Sequence, residues 1–289
     1  MTNFRENAKS FFARASYYSL FLHLFSKGRF WADRYVRVLN LHGTPECFAD
    51  RFRQYLKWTK KKFAVLTPDQ FKAFLLGRLN IQRPGILFTF DDGCSDNYAV
   101  AAPILEEFDL RGIFFVSPGL LEGARVFGGS INPKLEGITR KIRERESKGG
   151  GRMSLEQIAR LARRGHEIGY HTYSHSLIND LPEDVLSYDY CFGKETLEKS
   201  ISKEVESFAW PYSYCNLDKG VYDLLRTSYR YCFLPISGVS FAGQNPFLIF
   251  RTNVEIGYPP FLYRAMLLGI GDAYWYFKKM SIFRDRGIK

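Results

Sequence analysis

The chain has 289 residues, which suits one large domain with extensions, and a hydrophobic content of 46% permits a sizeable core. Lys and Arg outnumber Asp and Glu by 41 to 30, a formal charge of +11 that favours an anionic partner such as a phospholipid surface or a glycan phosphate; no zinc-finger spacing or RNA-recognition signature accompanies it, so nucleic acid is not expected. The 5 cysteines contain no CxxC pair and do not look like a disulfide framework, which fits a reducing compartment.

Residues 1–34 form a basic, aromatic extension. Arg5, Lys9 and Arg14 precede Leu20-Phe21-Leu22-His23-Leu24-Phe25, an imitation of a signal peptide. His23 interrupts the apolar part, and Lys27-Gly28-Arg29 stands where a small-residue cleavage site belongs. The segment therefore reads as retained, amphipathic and suited to a membrane surface. No apolar run approaches the ~18–20 residues that span a bilayer. The expected location is cytoplasmic and peripheral to the membrane, with secretion or the cell envelope as the alternative.

A strand over Tyr35–Leu41 ends at His42-Gly43-Thr44, and an amphipathic helix follows over 47–62. Thr67 and Pro68 open a second helix. Ile86-Leu87-Phe88-Thr89-Phe90 is the pattern of a strand buried on both faces, and it runs into Asp91-Asp92-Gly93. Ser95 to Phe108 reads as a helix that Pro103 kinks or restarts, and Ile113–Val116 as the next buried strand. The glycine-rich, charged stretch 119–151 reads as an inserted loop near the active edge. Ser154-Leu155-Glu156-Gln157 resembles a capping box opening a helix to Arg164. A strand over 166–171, a helical stretch over 182–200, a strand over 207–212, a helix over 221–227 and a strand over 229–234 continue the alternation. A late strand ends at Arg251, and residues 256–289 form an amphipathic aromatic segment. Strand-helix alternation argues for parallel βαβ units in an α/β domain over 35–255.

In such folds the carboxyl edge of the sheet collects ligands and catalytic groups. Two adjacent carboxylates at that edge repel, so a site there usually contains a cation or a shared proton, although an Asp-Gly strand end is also ordinary turn chemistry. His171-Thr172-Tyr173-Ser174-His175 ends another strand. On a helical turn its two imidazoles, four residues apart, would share one face. One Asp and two His make a three-ligand facial site with open positions, as in catalytic rather than structural metal centres. The metal would bring the pKa of a water toward neutrality and leave the other Asp free as general base.

Thr89-Phe90-Asp91-Asp92-Gly93 together with His171-Thr172-Tyr173-Ser174-His175 resembles the polysaccharide deacetylase, or NodB-homology, family of carbohydrate esterases. Phe208-Ala209-Trp210-Pro211-Tyr212 is similar to its third signature. The resemblance implies a distorted (β/α) barrel of about seven parallel strands and metal-dependent deacetylation of sugars, with Zn2+ the divalent metal expected. It implies Asp91 as catalytic base, Asp92, His171 and His175 as metal ligands, and the Tyr212 backbone N–H as oxyanion donor. Many members carry a late histidine as general acid, but none of the 5 histidines here follows His175. His42, at the end of the first strand, is similar to the acid of the rearranged members that deacetylate poly-N-acetylglucosamine, and takes that role here; a turn or capping histidine is the bland alternative. Ala209 replaces the arginine common in the third signature, and Arg251 is the candidate to orient Asp91, or else a structural ion pair. Trp210, Pro211 and Arg251 are candidate substrate-binding residues; the Trp210 and Tyr212 side chains are candidates to wall a sugar, since aromatic faces stack on pyranoses, with core packing the equal alternative. His166 reads as structural. The substrate implied is an N-acetylated sugar of a polysaccharide, glycan precursor or glycolipid. A non-catalytic glycan- or membrane-binding protein on the same barrel, and a deformylase of a lipid-linked sugar, are the alternatives.

Overall fold

A computed structural model describes residues 34–123, 132–146, 150–176, 181–212 and 219–272. The basic extension over 1–33, Cys215 and the aromatic tail beyond 272 lie outside the described residues.

Seven strands close into a parallel barrel: β1 (Tyr35–Leu41), β3 (Gly85–Phe90), β4 (Ile113–Val116), β5 (Glu167–Tyr170), β6 (Ser207–Ala209), β7 (Tyr231–Leu234) and β9 (Ile249–Asn253). Closure runs through β1, which pairs with β3 from Val36↔Gly85 to Leu41↔Phe90 and on its other side with β9 at Val38↔Arg251 to Asn40↔Asn253. Two short strands extend the amino-terminal rim: β2 (Ala64–Val65), parallel to β3, and β8 (Ser240–Phe241), antiparallel to β1. The distorted (β/α) barrel of seven parallel strands implied above is thus the fold.

Strand parity divides the apolar residues into two layers. Val36, Val38, Leu87, Ile113, Phe115, Ala209, Tyr231, Phe233 and Ile249 fill the barrel interior. Their neighbours in sequence, among them Leu39, Phe88, Phe90, Phe114, Phe208 and Trp210, face the helix layer. Phe115 takes its interior space over Gly169, where a Cβ would come within 2.3 Å of the ring.

The helices are α1 (Ala49–Lys62), α2 (Pro68–Leu75), α3 (Ala102–Glu107), α4 (Pro133–Glu146), α5 (Leu155–Arg163), α6 (Glu183–Cys191), α7 (Lys194–Ile201), α8 (Lys219–Ser228) and α9 (Pro260–Leu267). Both expected helix starts are full capping boxes, Thr67 with Gln70 and Ser154 with Gln157. α2 plugs the amino-terminal end of the barrel with Phe71, Phe74 and Leu75, and Lys72 there bridges Glu167 and Glu206 at 2.9 Å each. Pro103 restarts the helix after Asp92: a π-helical turn over Asn97–Ala101 precedes α3. Gly193, with φ 80°, breaks the expected 182–200 helix into α6 and α7. The stretch expected as a loop over 119–151 contains α4, whose Leu135, Thr139 and Ile142 are buried along one face. At the carboxyl side of the domain, α9 packs on α1, with the Tyr263 ring stacked on Tyr55 at 3.9 Å.

Candidate active site

The carboxyl ends of β3, β5, β6, β9 and β1 converge on one mouth of the barrel. β3 continues one residue past its last pair, because the Asp91 N–H donates to the Leu41 carbonyl at 2.8 Å. By parity with Leu87, the Asp91 side chain points inward, as does Arg251 from β9. They meet there: Arg251 Nη1 donates to Asp91 Oδ1 at 2.6 Å, and both side chains are buried. The arginine lies over Phe115, 5.4 Å from the ring centroid. The next residue turns the chain, with Asp92 at φ 72° and Gly93 at φ 65°. This reverses the side chain of Asp92 toward the histidine loop and separates the fates of two residues alike in sequence.

The His171 N–H donates to the Val116 carbonyl at 2.9 Å, so this residue too extends its strand. Its Nδ1 lies 2.7 Å from the carbonyl of Ala209 and must carry the proton to donate there. The bare Nε2 then faces the acids, 3.6 Å from both Asp91 Oδ2 and Asp92 Oδ1. His175 Nε2 lies 3.1 Å from Asp92 Oδ1. The two imidazoles do share a face, but no helical turn brings them together. Residues 171–175 form a loop in which Thr172 and His175 are left-handed, at φ 59° and 56°. The loop is pinned from below by Asp189, whose Oδ1 accepts the Ser174 N–H at 2.8 Å and whose carbonyl accepts the Tyr173 N–H at 2.7 Å. Asp189 is fully buried in the last turn of α6, a position that reads in sequence as an ordinary helix residue.

Asp92, Thr172, His175 and Tyr212 are four of the six described non-glycine residues with positive φ, and all four line this mouth. Such conformations cost about 1–3 kcal/mol each and persist where the surroundings enforce them, most often at functional sites.

The donor atoms of Asp92, His171 and His175 lie within 4.8 Å of one another and fit a divalent cation. Burial holds the His171 imidazole down to about 4, and hence neutral, as a ligand must be. Burial alone would raise the Asp92 carboxyl, but its neighbours, the contact with His175 above all, outweigh it and lower its pKa. Asp92 Oδ1 is buried without a hydrogen-bond partner of good geometry, an orphan that a cation would satisfy.

His42 reaches the same place from the first strand. It shares with Asp92 an open cleft of about 360 Å³ also lined by Cys94, Asp96, Arg145 and Arg152. Burial depresses the His42 pKa, but Glu255, Asp91 and Asp92 prevail and raise it. Glu255 Oε1 lies 3.5 Å from His42 Nδ1, a partner with no signal in the sequence beyond its place just after β9. Tyr212 is exposed at the cleft edge, its ring 4.7 Å from that of His175 and its hydroxyl accepting from Arg145 Nη2 at 2.8 Å. Trp210 is a correction. Parity turns it outward into the helix layer, 2% exposed, where its Nε1 donates to Cys232 Sγ at 3.1 Å and its ring packs on Tyr190 and Phe208. It therefore presents no face to a sugar. Pro211 is buried beside it, so the signature contributes Tyr212 alone to the open mouth. His166 lies at the other end of β5, its Nδ1 accepting the Gly112 N–H at 3.2 Å and its Nε2 2.8 Å from Glu106 Oε1.

Comparison with known proteins finds the polysaccharide deacetylase family model over residues 79–231, more than half of the 289. The Bacillus subtilis protein YxkH, a polysaccharide deacetylase by name, is 21% identical over 207 residues, or 71% of this chain. The chain spans 64% of the length of that curated relative. Among solved structures, IcaB from Ammonifex degensii superposes with a TM-score of 0.61 at 22% identity, covering 83% of this chain and 97% of that one. The Streptococcus pyogenes deacetylase PplD, solved with acetate, gives 0.61 at 21% identity, covering 81% and 99%. A de-N-acetylase from Aggregatibacter actinomycetemcomitans gives 0.61 at 15%, covering 80% and 99%.

Proposed function

This chain belongs to the polysaccharide deacetylase family, and on that premise we propose that it hydrolyses the acetamide of an N-acetylated sugar with a divalent cation, Zn2+ by its donor set, held by Asp92, His171 and His175. The observation that carries the proposal is the meeting of this triad with a buried, arginine-held Asp91 in one barrel mouth. The cation would supply Lewis acidity to the acetamide carbonyl and a more acidic water. Asp91 takes the proton from the attacking water, and Arg251 fixes the oxygen that does not take it. The Tyr212 N–H, at a strand-end turn, donates to the oxyanion. His42, with its pKa raised, protonates the departing amine and leaves a free amino sugar and acetate. The position of His42 in the same cleft as Asp92 supports this reading over a purely glycan-binding role.

Metal analysis of the purified protein combined with acetate release on a panel of N-acetylated oligosaccharides and lipid-linked sugars tests it. Bound divalent metal and released acetate are expected. Asp91→Asn should lose turnover and keep the metal, whereas His175→Ala should lose both. Full activity in either variant would overturn the assignment. We further propose that the charge of +11 brings the protein to an anionic membrane surface on the cytoplasmic side; among the described residues no helix is long and apolar enough to cross a membrane. Co-sedimentation with anionic but not neutral vesicles is the expected result.

A further inference from the structure

We infer that Arg145 and Arg152 form an anion-binding subsite beside the triad, so that the substrate carries a phosphate or carboxylate group close to its acetamide; the inference rests on the deacetylase reading. Both arginines line the cleft that holds His42 and Asp92. They reach it from two directions. Arg145 stands in the last turn of α4, and its Nη2 donates to the Tyr212 hydroxyl at 2.8 Å. Arg152 is delivered by backbone pairing with the turn that carries Asp92. The Met153 N–H donates to the Gly93 carbonyl and the Ser95 N–H to the Gly151 carbonyl, each at 2.9 Å, and Cys94 and Arg152 pair between them. The Arg152 Nη1 then rests on Cys94 Sγ at 3.1 Å. The subsite is thus fastened to the site on both flanks, at Tyr212 and at the Asp92 turn.

The partners just named are a phenol hydroxyl and a thiol sulfur, which accept a hydrogen bond without supplying a carboxylate. The two acids that line the cleft are placed otherwise. Asp92 Oδ1 meets His175 at 3.1 Å, and Asp96 Oδ1 is sealed within the wall. An arginine carries five N–H donors in a planar fork, so it can hold such a partner and meet the oxygens of an anion together. Phosphate and carboxylate oxygens present the same acceptors to that fork, and charge makes these bonds about twice as strong as those to a neutral hydroxyl. The acetamide itself is taken up by the triad, Tyr212 and His42. The anionic group therefore belongs to the sugar that bears the acetamide or to the unit next to it.

The test compares acetate release from neutral N-acetylated oligosaccharides with matched ones that carry a phosphate ester or a uronate carboxylate on or beside the acetylated unit. It is run on the wild-type protein, Arg152→Gln and Arg145→Gln. The readout is the ratio of kcat/KM for anionic over neutral substrate within each protein, which a general loss of stability or activity does not move. A hydrogen bond to a charged group corresponds to about ten- to a hundred-fold in that ratio. The wild type should prefer an anionic substrate by that much, and each variant should bring the ratio to within a few-fold of one. Which of the two anionic series is preferred separates phosphate from carboxylate as the source. If the wild type treats neutral and anionic substrates alike, or if both variants keep its preference, the subsite falls while the deacetylase reading stands. If no substrate releases acetate, the reading and this inference fall together.

Discussion

Asp91 and Asp92 are indistinguishable in sequence, and the backbone separates them. One continues the strand inward to Arg251; the other enters the left-handed region and turns to the histidines. The Arg251–Asp91 pair is buried on both sides, so its value lies in mutual satisfaction. Arg251→Met should leave a buried, uncompensated carboxylate and cost about 3–5 kcal/mol in urea unfolding, together with most of the turnover. His166 makes a different prediction. Burial holds its imidazole down to about 4, against roughly 6.5 when unfolded. The native state then binds fewer protons than the unfolded chain between these values, so stability is full above about pH 6.5 and falls as the pH drops toward 4. The loss amounts to about 3 kcal/mol, and His166→Gln should flatten this part of the stability profile in denaturant titrations from pH 7 to 4. At this scale the sequence displayed residue types and spacing well, and Asp91, Asp92, His171 and His175 were legible from them. It did not display side-chain direction: Trp210 is one residue out of phase with the interior Ala209, and period two alone sends it to the helices.

At the scale of elements, the histidine loop depends on α6, which sits beneath it. Asp189 accepts from Ser174 at 2.8 Å in full burial, which pushes its carboxyl up to about 6. Asp189→Ala should leave the Ser174 N–H without its acceptor and loosen His175, lowering metal affinity by about 10–100-fold in competition with a chromophoric chelator. The i, i+4 histidine spacing was visible, but its cause was not a helix. Loop geometry held by a residue fifteen positions from the Ser174 it bonds has no periodic signature. The helix α4 was concealed differently. Its buried Leu135, Thr139 and Ile142 follow helical spacing, but glycines and a run of charges around them mask so sparse a stripe. Where local chemistry alone sets a boundary, reading was direct: Ser154 and Gln157 form the capping box their spacing announces. Ser154→Ala should cost about 1 kcal/mol of stability without altering metal content.

At the scale of the molecule, the barrel gathers donors from five strand ends into one orphaned, charged mouth, and a cation should tie it together. Because an ion that binds only the native state stabilises by mass action, Zn2+ at about a hundred times its dissociation constant should raise the melting temperature of the chelator-stripped protein by roughly 5–10 °C, with no rise in His175→Ala. The strand-helix alternation made the parallel α/β class legible in advance. Closure was not, since pairing of β1 with both β3 and β9 is a property of the ring. That closure has a consequence for how such sites are written in a genome. His42 arrives on the first strand of the ring and Arg251 on the last, yet both stand at the same acid because β9, β1 and β3 are consecutive staves. A coding sequence that moved the first stave behind the last would deliver the same histidine late instead of early and leave the mouth unchanged. Motif order along the chain and motif order around the ring are separate alphabets, and only the second is read by the substrate.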